Sequence, residues 1–444
     1  MAPFSWSSSS PPTTTTKASL GQALRIHNYD TIMGGTDTPL PRRDYHCLLQ
    51  NATDCQNLVD FFQHHQQHDN HHNDKVAVAV HLTMDSTTAS SSSPVAATSM
   101  DCISQLPRLQ EVSIQSSSKL RKVVWDASVL SKFIKQASQL QTLKLTNVQV
   151  HGGSVYDLAE ALQDHVHLTK VEVCRCACRP VEVLLQAFGR MSRLQEIVLD
   201  GTLLEQQQGP EALKALQQLA VGGAQRLTLV DIPEVGATQQ LLAILGALAT
   251  AKGKGVRDLA LHVVTHDSLP RIVIDAMAKM VRTNTSLEIL TVTWMGGGEI
   301  LLPIIQALAV NQTLREFQLA PGFYSVKSPI QVCFSQPFLD ATALALSQNY
   351  TLTHLWFDND NATWGNASSS WQPVSVQIDL ILRANALGRH HLIHDTHHAR
   401  PECRPSHHEW IAALCASHEH AHVSYYWLSN NPSILNAAVS TLSS

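Results

Sequence analysis

Charge is scarce in this sequence: Asp, Glu, Lys and Arg make up 15% of its 444 residues, and the formal net charge is −5. A chain so weakly and negatively charged exerts no overall pull on phosphates, so nucleic acid is not an expected partner. With 44% apolar residues it also departs from the highly charged composition of a disordered protein. Long apolar runs are lacking as well. The longest, from Leu241 to Ala249, falls well short of a bilayer span and runs into Lys252 and Lys254, so no membrane segment is expected. Paired cysteine motifs are absent: the nine Cys are an odd number, and three crowd at Cys174, Cys176 and Cys178, which suits a reducing compartment. The opening Met1-Ala-Pro-Phe-Ser-Trp leads into a Ser/Pro/Thr run without the apolar core of a secretory signal, and a cytoplasmic or nuclear location is expected.

Catalytic signatures are missing too. No Gly-x-Ser-x-Gly elbow occurs, and Gly296-Gly297-Gly298 lacks the Lys-Ser/Thr of a phosphate loop, so it reads as a tight turn before a helix. No enzyme activity and no cofactor are expected. Histidine, by contrast, is plentiful at 24 residues. His64, His65, His68, His71 and His72 form one cluster, and Cys403, His407, His408, His418, His420 and His422 another. Neither has the ligand spacing of a zinc site, so both read as polar low-complexity sequence and no metal is expected.

What is present in abundance is repetition. Residues 1–75 are rich in Ser, Thr and His and are expected to be largely disordered, with a small ordered element between Tyr45 and Phe62; Val76 to Leu82 has strand character. From about residue 103 a motif of three apolar anchors recurs. Its middle member is Val112, Leu143, Val171, Ile197, Leu227, Leu259, Leu290, Phe317 and Leu355, spaced 26 to 32 residues apart except for a last interval of 38. The alternation within each motif marks a short strand buried on one face, and the segment before it has helical spacing, as at Ile304, Ile305, Leu308 and Ala309. Later helices end on Asn284, Asn311 and Asn349, each three residues before the next first anchor. Asn tolerates the left-handed backbone that closes a helix, and this is the expected reason for the punctuation. These Asn begin three of six Asn-x-Ser/Thr matches; the others are Asn51, Asn361 and Asn366, and glycosylation is not expected at any of them.

The unit Ala-Leu-x-x-Asn-x-Thr-Leu-x-x-Phe-x-Leu at Ala307 to Leu319 resembles the leucine-rich repeat of the ribonuclease-inhibitor-like superfamily. Departures fall at His165 and Met191, which replace the Asn, while Cys176 matches the family's Asn/Cys after the strand. The C-terminal part, with Trp410-Ile411-x-x-Leu414, Tyr425-Tyr426-Trp427-Leu428 and Asn431-Pro432, is similar to the helical tail of diatom-type leucine-rich-repeat proteins. The resemblance implies an α/β fold, a curved solenoid with a parallel sheet on its concave side and helices on its convex side. It implies a repeat array over residues 76–360 and a helical cap over 361–444, with Trp410, Leu414 and Leu428 packed inward. It also implies a protein partner. Leu40-Pro41 with Leu48-Leu49 resembles the start of an F-box, giving a ubiquitin-ligase substrate subunit as one alternative; a GTPase regulator is another, although the characteristic Arg or Asn of such activators is not located here.

If the anchors point inward, the residues just before, between and just after the last two of each motif form three outward columns, the first of which begins at Glu111. One predicts an alternating ladder of Lys170, Glu196, Arg226 and Asp258. The C-terminal third is nearly uncharged and ends in an aromatic residue, the character of an interface hot spot. The candidate partner-binding residues are therefore Thr291, Thr293, Gln318, His354, Trp356 and Asp358.

Overall fold

A computed structural model describes residues 24–29, 42–49, 54, 57–62, 77–84, 94–106, 108–118, 121–151, 155–205, 209–233, 237–251, 253, 255–264, 270–294, 298–321, 336–357, 378 and 381–386. The chain divides into two units, residues 1–187 and 188–444.

In the first unit the strands are β1 (Leu24–Tyr29), β2 (Arg42–Leu49), β3 (Ala77–Met84), β4 (Leu109–Ser116), β5 (Val123–Asp126), β6 (Thr142–Thr146), β7 (Val148–His151), β8 (Lys170–Cys174) and β9 (Ala177–Cys178). Its helices are α1 (57–62), α2 (Pro94–Ser104), α3 (Ala127–Gln136) and α4 (Val155–Asp164), and the division between units falls within α5 (Val181–Arg190). The order β1-β2-β3-β4-β6-β8 makes one sheet, parallel except for the antiparallel β1–β2 pair. The short strands β5-β7-β9 make a second parallel sheet that the sequence did not announce. Asn147 and Arg175, with φ of 57° and 56°, turn the chain between the two sheets. In the left-handed region a break of one residue at Asn147, or two at Arg175 and Cys176, suffices to start a new strand.

The second unit contains β10 (Glu196–Asp200), α6 (Gly201–Glu205), α7 (Pro210–Val221), β11 (Arg226–Pro233), α8 (Thr238–Thr250), β12 (Asp258–Val264), α9 (Arg271–Thr283), β13 (Ile289–Trp294), α10 (Leu302–Leu308), β14 (Glu316–Pro321), α11 (Gln336–Gln348), β15 (His354–Phe357) and α12 (381–386). Its strands β10 to β15 lie side by side in sequence order, all parallel. Helices α7, α8, α9, α10 and α11 each touch the next, so they form one layer, as crossovers of a single hand require. Each buries an i, i+3, i+4 stripe; in α7 it is Ala212, Ala215, Leu216, Leu219 and Ala220. The chain is thus an α/β protein of parallel strands joined by helices, with no closed barrel among the described residues.

The anchor columns align as expected. Val112, Leu143 and Val171 are register partners in the first unit, and Ile197, Leu227, Leu259, Leu290, Phe317 and Leu355 in the second. All are buried except Leu355, half-buried on the edge strand β15. The column continues upstream through Val80, on the strand expected there, and beyond it through Tyr45 on β2. The segment 1–75 contributes β1, β2 and α1, the last two overlapping the small ordered element expected between Tyr45 and Phe62. Its apolar residues explain why: the Tyr45 ring meets Phe62 edge-on, and Leu58, Val59 and Phe62 are buried. The tail residues Trp410, Leu414 and Leu428 lie outside the described residues.

The asparagine punctuation has a different cause from the one expected. Asn284 is extended, with φ −72° and ψ 137°, not left-handed. Its buried amide instead ties neighbouring units together. The Asn284 Nδ2 donates to the Leu248 carbonyl at 2.6 Å, while its Oδ1 accepts from the amides of Ser286 and Leu287. Asn311 donates to Val281 O, and Asn349 to Leu308 O and Asn311 O, with matching amides bound to each Oδ1. The pattern recurs in α12, where the Asn385 amide donates to Asn349 O and Leu352 O. Three of these rungs reach carbonyls in the last turn of a helix, Leu248, Val281 and Leu308, where intrahelical bonding runs out. Burial also removes Asn284, Asn311 and Asn349 as glycan acceptors; Asn51, Asn361 and Asn366 lie outside the described residues.

His165, a departure from the repeat in sequence, does the same work. Its Nδ1 accepts from the amides of His167 and Leu168, so the Nε2 carries the proton and donates to Ala137 O at 2.9 Å. Where Met191 stands instead, the helix ends approach directly: a Cβ at Gly222 would sit 2.5 Å from the Gly189 carbonyl oxygen, so only glycine fits there.

Candidate functional site

Opposite the buried anchors, the second unit's strands place side chains in rows. The first row runs Glu196, Arg226, Asp258, Ile289, Glu316, His354, and the second Val198, Thr228, Ala260, Thr291, Gln318, Trp356, each residue in register with the next. The third row is broken. Asp231 adopts a φ of 50° and a bulge shifts the register between Leu229 and Ile232, so only His262, Thr293 and Ala320 remain aligned at its C-terminal end.

The last three members of the expected charge ladder lie in one row, and the last two form an ion pair. Arg226 Nε bonds Asp258 Oδ2 at 2.6 Å, and Glu196 is Arg226's register partner on the other side. Lys170 belongs to the first unit, in register with Thr142. The Arg226 side chain is half-exposed, so water screens this pair and its contribution is about 0–1 kcal/mol. Arg226→Glu should lower the melting temperature by less than about 4 °C for a chain of this size. A calorimetric scan showing a larger fall would make the ladder structural.

The six candidate residues separate. Thr291 and Gln318 are half-buried neighbours, the Thr291 hydroxyl lying 3.4 Å from Gln318 Oε1. His354 is exposed, with Nδ1 2.9 Å from the Thr353 hydroxyl and 3.8 Å from Glu316 Oε1. Trp356 follows Gln318 in the row by its backbone; its side chain and Asp358 lie outside the described residues. Thr293 corrects the expectation of an open third column. It is buried, and its hydroxyl lies 2.6 Å from Nδ1 of His262, whose own partial burial lowers its pKa against a weaker pull upward from Asp231. Val198 and Asp200 are buried as well. The Asp200 carboxylate accepts from the Leu203 amide and the Thr202 hydroxyl at the start of α6, which draws it off the open face.

The first unit's face is more ionic. Glu111, expected outward, is buried and forms an ion pair with Lys144 Nζ at 2.6 Å. Beside it stands a trio that the sequence did not bring together, Asp44, His46 and His81. In the cysteine cluster, Cys176 is buried and bonds Leu145 O, and burial pushes the Cys178 thiol up to about 12. No helix among the described residues is long and apolar enough to cross a membrane.

No protein-family model and no curated protein matches this sequence. Among solved structures the chain is similar to actin-binding site 2 of leiomodin-1, at 16% identity over 40% of this chain and 91% of that one, with a TM-score of 0.30. It is also similar to the tropomodulin C-terminal domain of Caenorhabditis elegans, at 14% identity over 47% of this chain and 98% of that one, with a TM-score of 0.28.

Proposed function

We propose that the chain is a leucine-rich-repeat array of the ribonuclease-inhibitor-like kind that serves as a protein-interaction scaffold, not as an enzyme, and works in the cytoplasm or nucleus. The observation that carries this reading is the pair of in-register rows on the second unit's sheet, on the face away from the helix layer. Parallel strands about 4.8 Å apart turn such rows into a regular array of contact points, which suits an extended protein surface better than a small substrate. Within the array, Thr291, Gln318 and Trp356 form the least charged row, with Ala260 before them. Weakly charged ground that ends in an aromatic residue favours binding energy, whereas Arg226 and Asp258 satisfy each other.

Affinity purification from the native cell with the whole chain identifies the partner, and ligase subunits or a small GTPase among the captured proteins would assign the class. The purified pair then tests the site. Trp356→Ala should weaken binding about 30-fold, the effect of losing a hot spot worth roughly 2 kcal/mol, and Arg226→Glu should change it less than threefold. The reverse order would place the partner on the ionic rows and overturn the choice of the C-terminal third.

A further inference from the structure

The trio on the first unit has the chemistry of a metal site. Asp44 and His46 lie two apart on β2, so both project from the same face; Tyr45 and Cys47 alternate with them and are buried on the other. His81 on β3 is the register partner of His46. Their ligand atoms all lie within 4.8 Å of one another, with His81 Nε2 3.9 Å from Asp44 Oδ2. Zinc bonds of about 2.0–2.2 Å put tetrahedral ligands roughly 3.3–3.6 Å apart, a gap that side-chain rotations can close without moving the strands.

We propose that Asp44, His46 and His81 bind one divalent transition-metal ion of the zinc type, pinning β2 to β3, with the remaining position open to water. Two imidazoles and a carboxylate form a borderline-soft donor set, suited to zinc and its neighbours and poorly suited to calcium or magnesium. Asp44 is buried and His81 half-buried, so the ion sits where electrostatic attraction is strengthened by partial exclusion of water. The surrounding charges are Glu111 and Lys144, from β4 and β6, and they are bonded to each other. The two imidazole rings lie stacked, their centroids 4.5 Å apart and their planes 14° from parallel. A ligating nitrogen needs the ion near its ring plane, so binding must turn the rings out of this stack.

The test uses the untagged full chain, stripped with chelator and titrated with zinc by calorimetry, with a melting scan at each ratio. An ion bound only by the folded site raises the melting temperature, whereas ions held by His tracts equally available in the unfolded chain raise it little. His81→Gln and Asp44→Asn should each bind one equivalent fewer than the parent and lose the zinc-dependent rise. A variant with His64, His65, His68, His71 and His72 all replaced by Ser should keep that rise. Survival of the rise in His81→Gln, or its disappearance in the tract variant, overturns the proposal. If His81→Gln does not fold without metal, His46→Asn, at an exposed position, is read by the same criteria.

Discussion

Leu290→Asp should unfold the middle of the second unit, while Thr291→Asp, one residue on, should leave it folded. Leu290 is completely buried on β13, between Leu259 on β12 and Phe317 on β14. Losing a buried Leu costs about 2–5 kcal/mol. A carboxyl in its place must be buried charged or forced neutral, which adds several kcal/mol more. The sum rivals the whole stability of an ordinary domain, about 5–15 kcal/mol. In a stacked array each unit leans on its neighbours, so the damage should reach β12, β14 and the helices α9 and α10. Thr291 points to the other face, half-buried beside Ala260 and Gln318, where a surface change costs about 0.5 kcal/mol. Hydrogen exchange across β12–β14 reads both outcomes. If Thr291→Asp were the disruptive change, the two faces of the sheet would be assigned the wrong way round.

The contrast between these neighbours shows what was legible in the sequence. Strand side chains alternate with a period of two, so a run such as Ile289-Leu-Thr-Val-Thr declares its buried face locally, and nine such runs at similar spacing fix the order and register of the sheet. The helices were legible for the same reason, through their apolar stripes. The upstream strands β2 and β3 continue the column through Tyr45 and Val80, but Tyr45 stands among polar neighbours and the leading Leu anchors are absent, so the repetition faded before the fold did. The second sheet of the first unit was invisible, because β5, β7 and β9 span only two to four residues, too few for alternation to show.

The candidate face was less legible because its exposure depends on events away from each residue. Thr293 is hidden by its pairing with His262 and Asp200 by its role at the start of α6, and neither relation leaves a mark in the local pattern. The metal trio required knowing that residue 46 is the register partner of residue 81, information that only strand pairing supplies. The Asn positions were found correctly but for the wrong reason, since a backbone preference and a side-chain bonding role select the same residue type.

That bonding role predicts the second large effect, the loss of a single buried amide at Asn311. Its Nδ2 donates to Val281 O at 2.6 Å, and its Oδ1 accepts from Thr313 N at 2.9 Å and Leu314 N at 2.7 Å. Asn311→Ala leaves three backbone groups unsatisfied where Asn311 had been buried, and each such group costs about 1–3 kcal/mol. A total of roughly 3–9 kcal/mol should appear in urea unfolding. Asn311→Asp keeps both acceptor bonds but turns a carboxylate oxygen toward the Val281 carbonyl, so it should recover little. Asn311→His should recover more, because His165 already spans the same three kinds of group in the first unit, accepting at Nδ1 and donating from Nε2. This bonding needs the neutral ring. Burial, the largest influence on His165, lowers its pKa below the usual 6.5. The stability it contributes is therefore complete above 6.5 and lost as the pH falls through the lower folded value. The rescue by Asn311→His should follow the same curve, present at about pH 8 and declining as the pH falls below 6.5, while Asn311→Ala adds no pH dependence to that of the parent. Should Asn311→Ala cost no more than an exposed substitution, the ladder would be ornament on a fold held by its anchors alone.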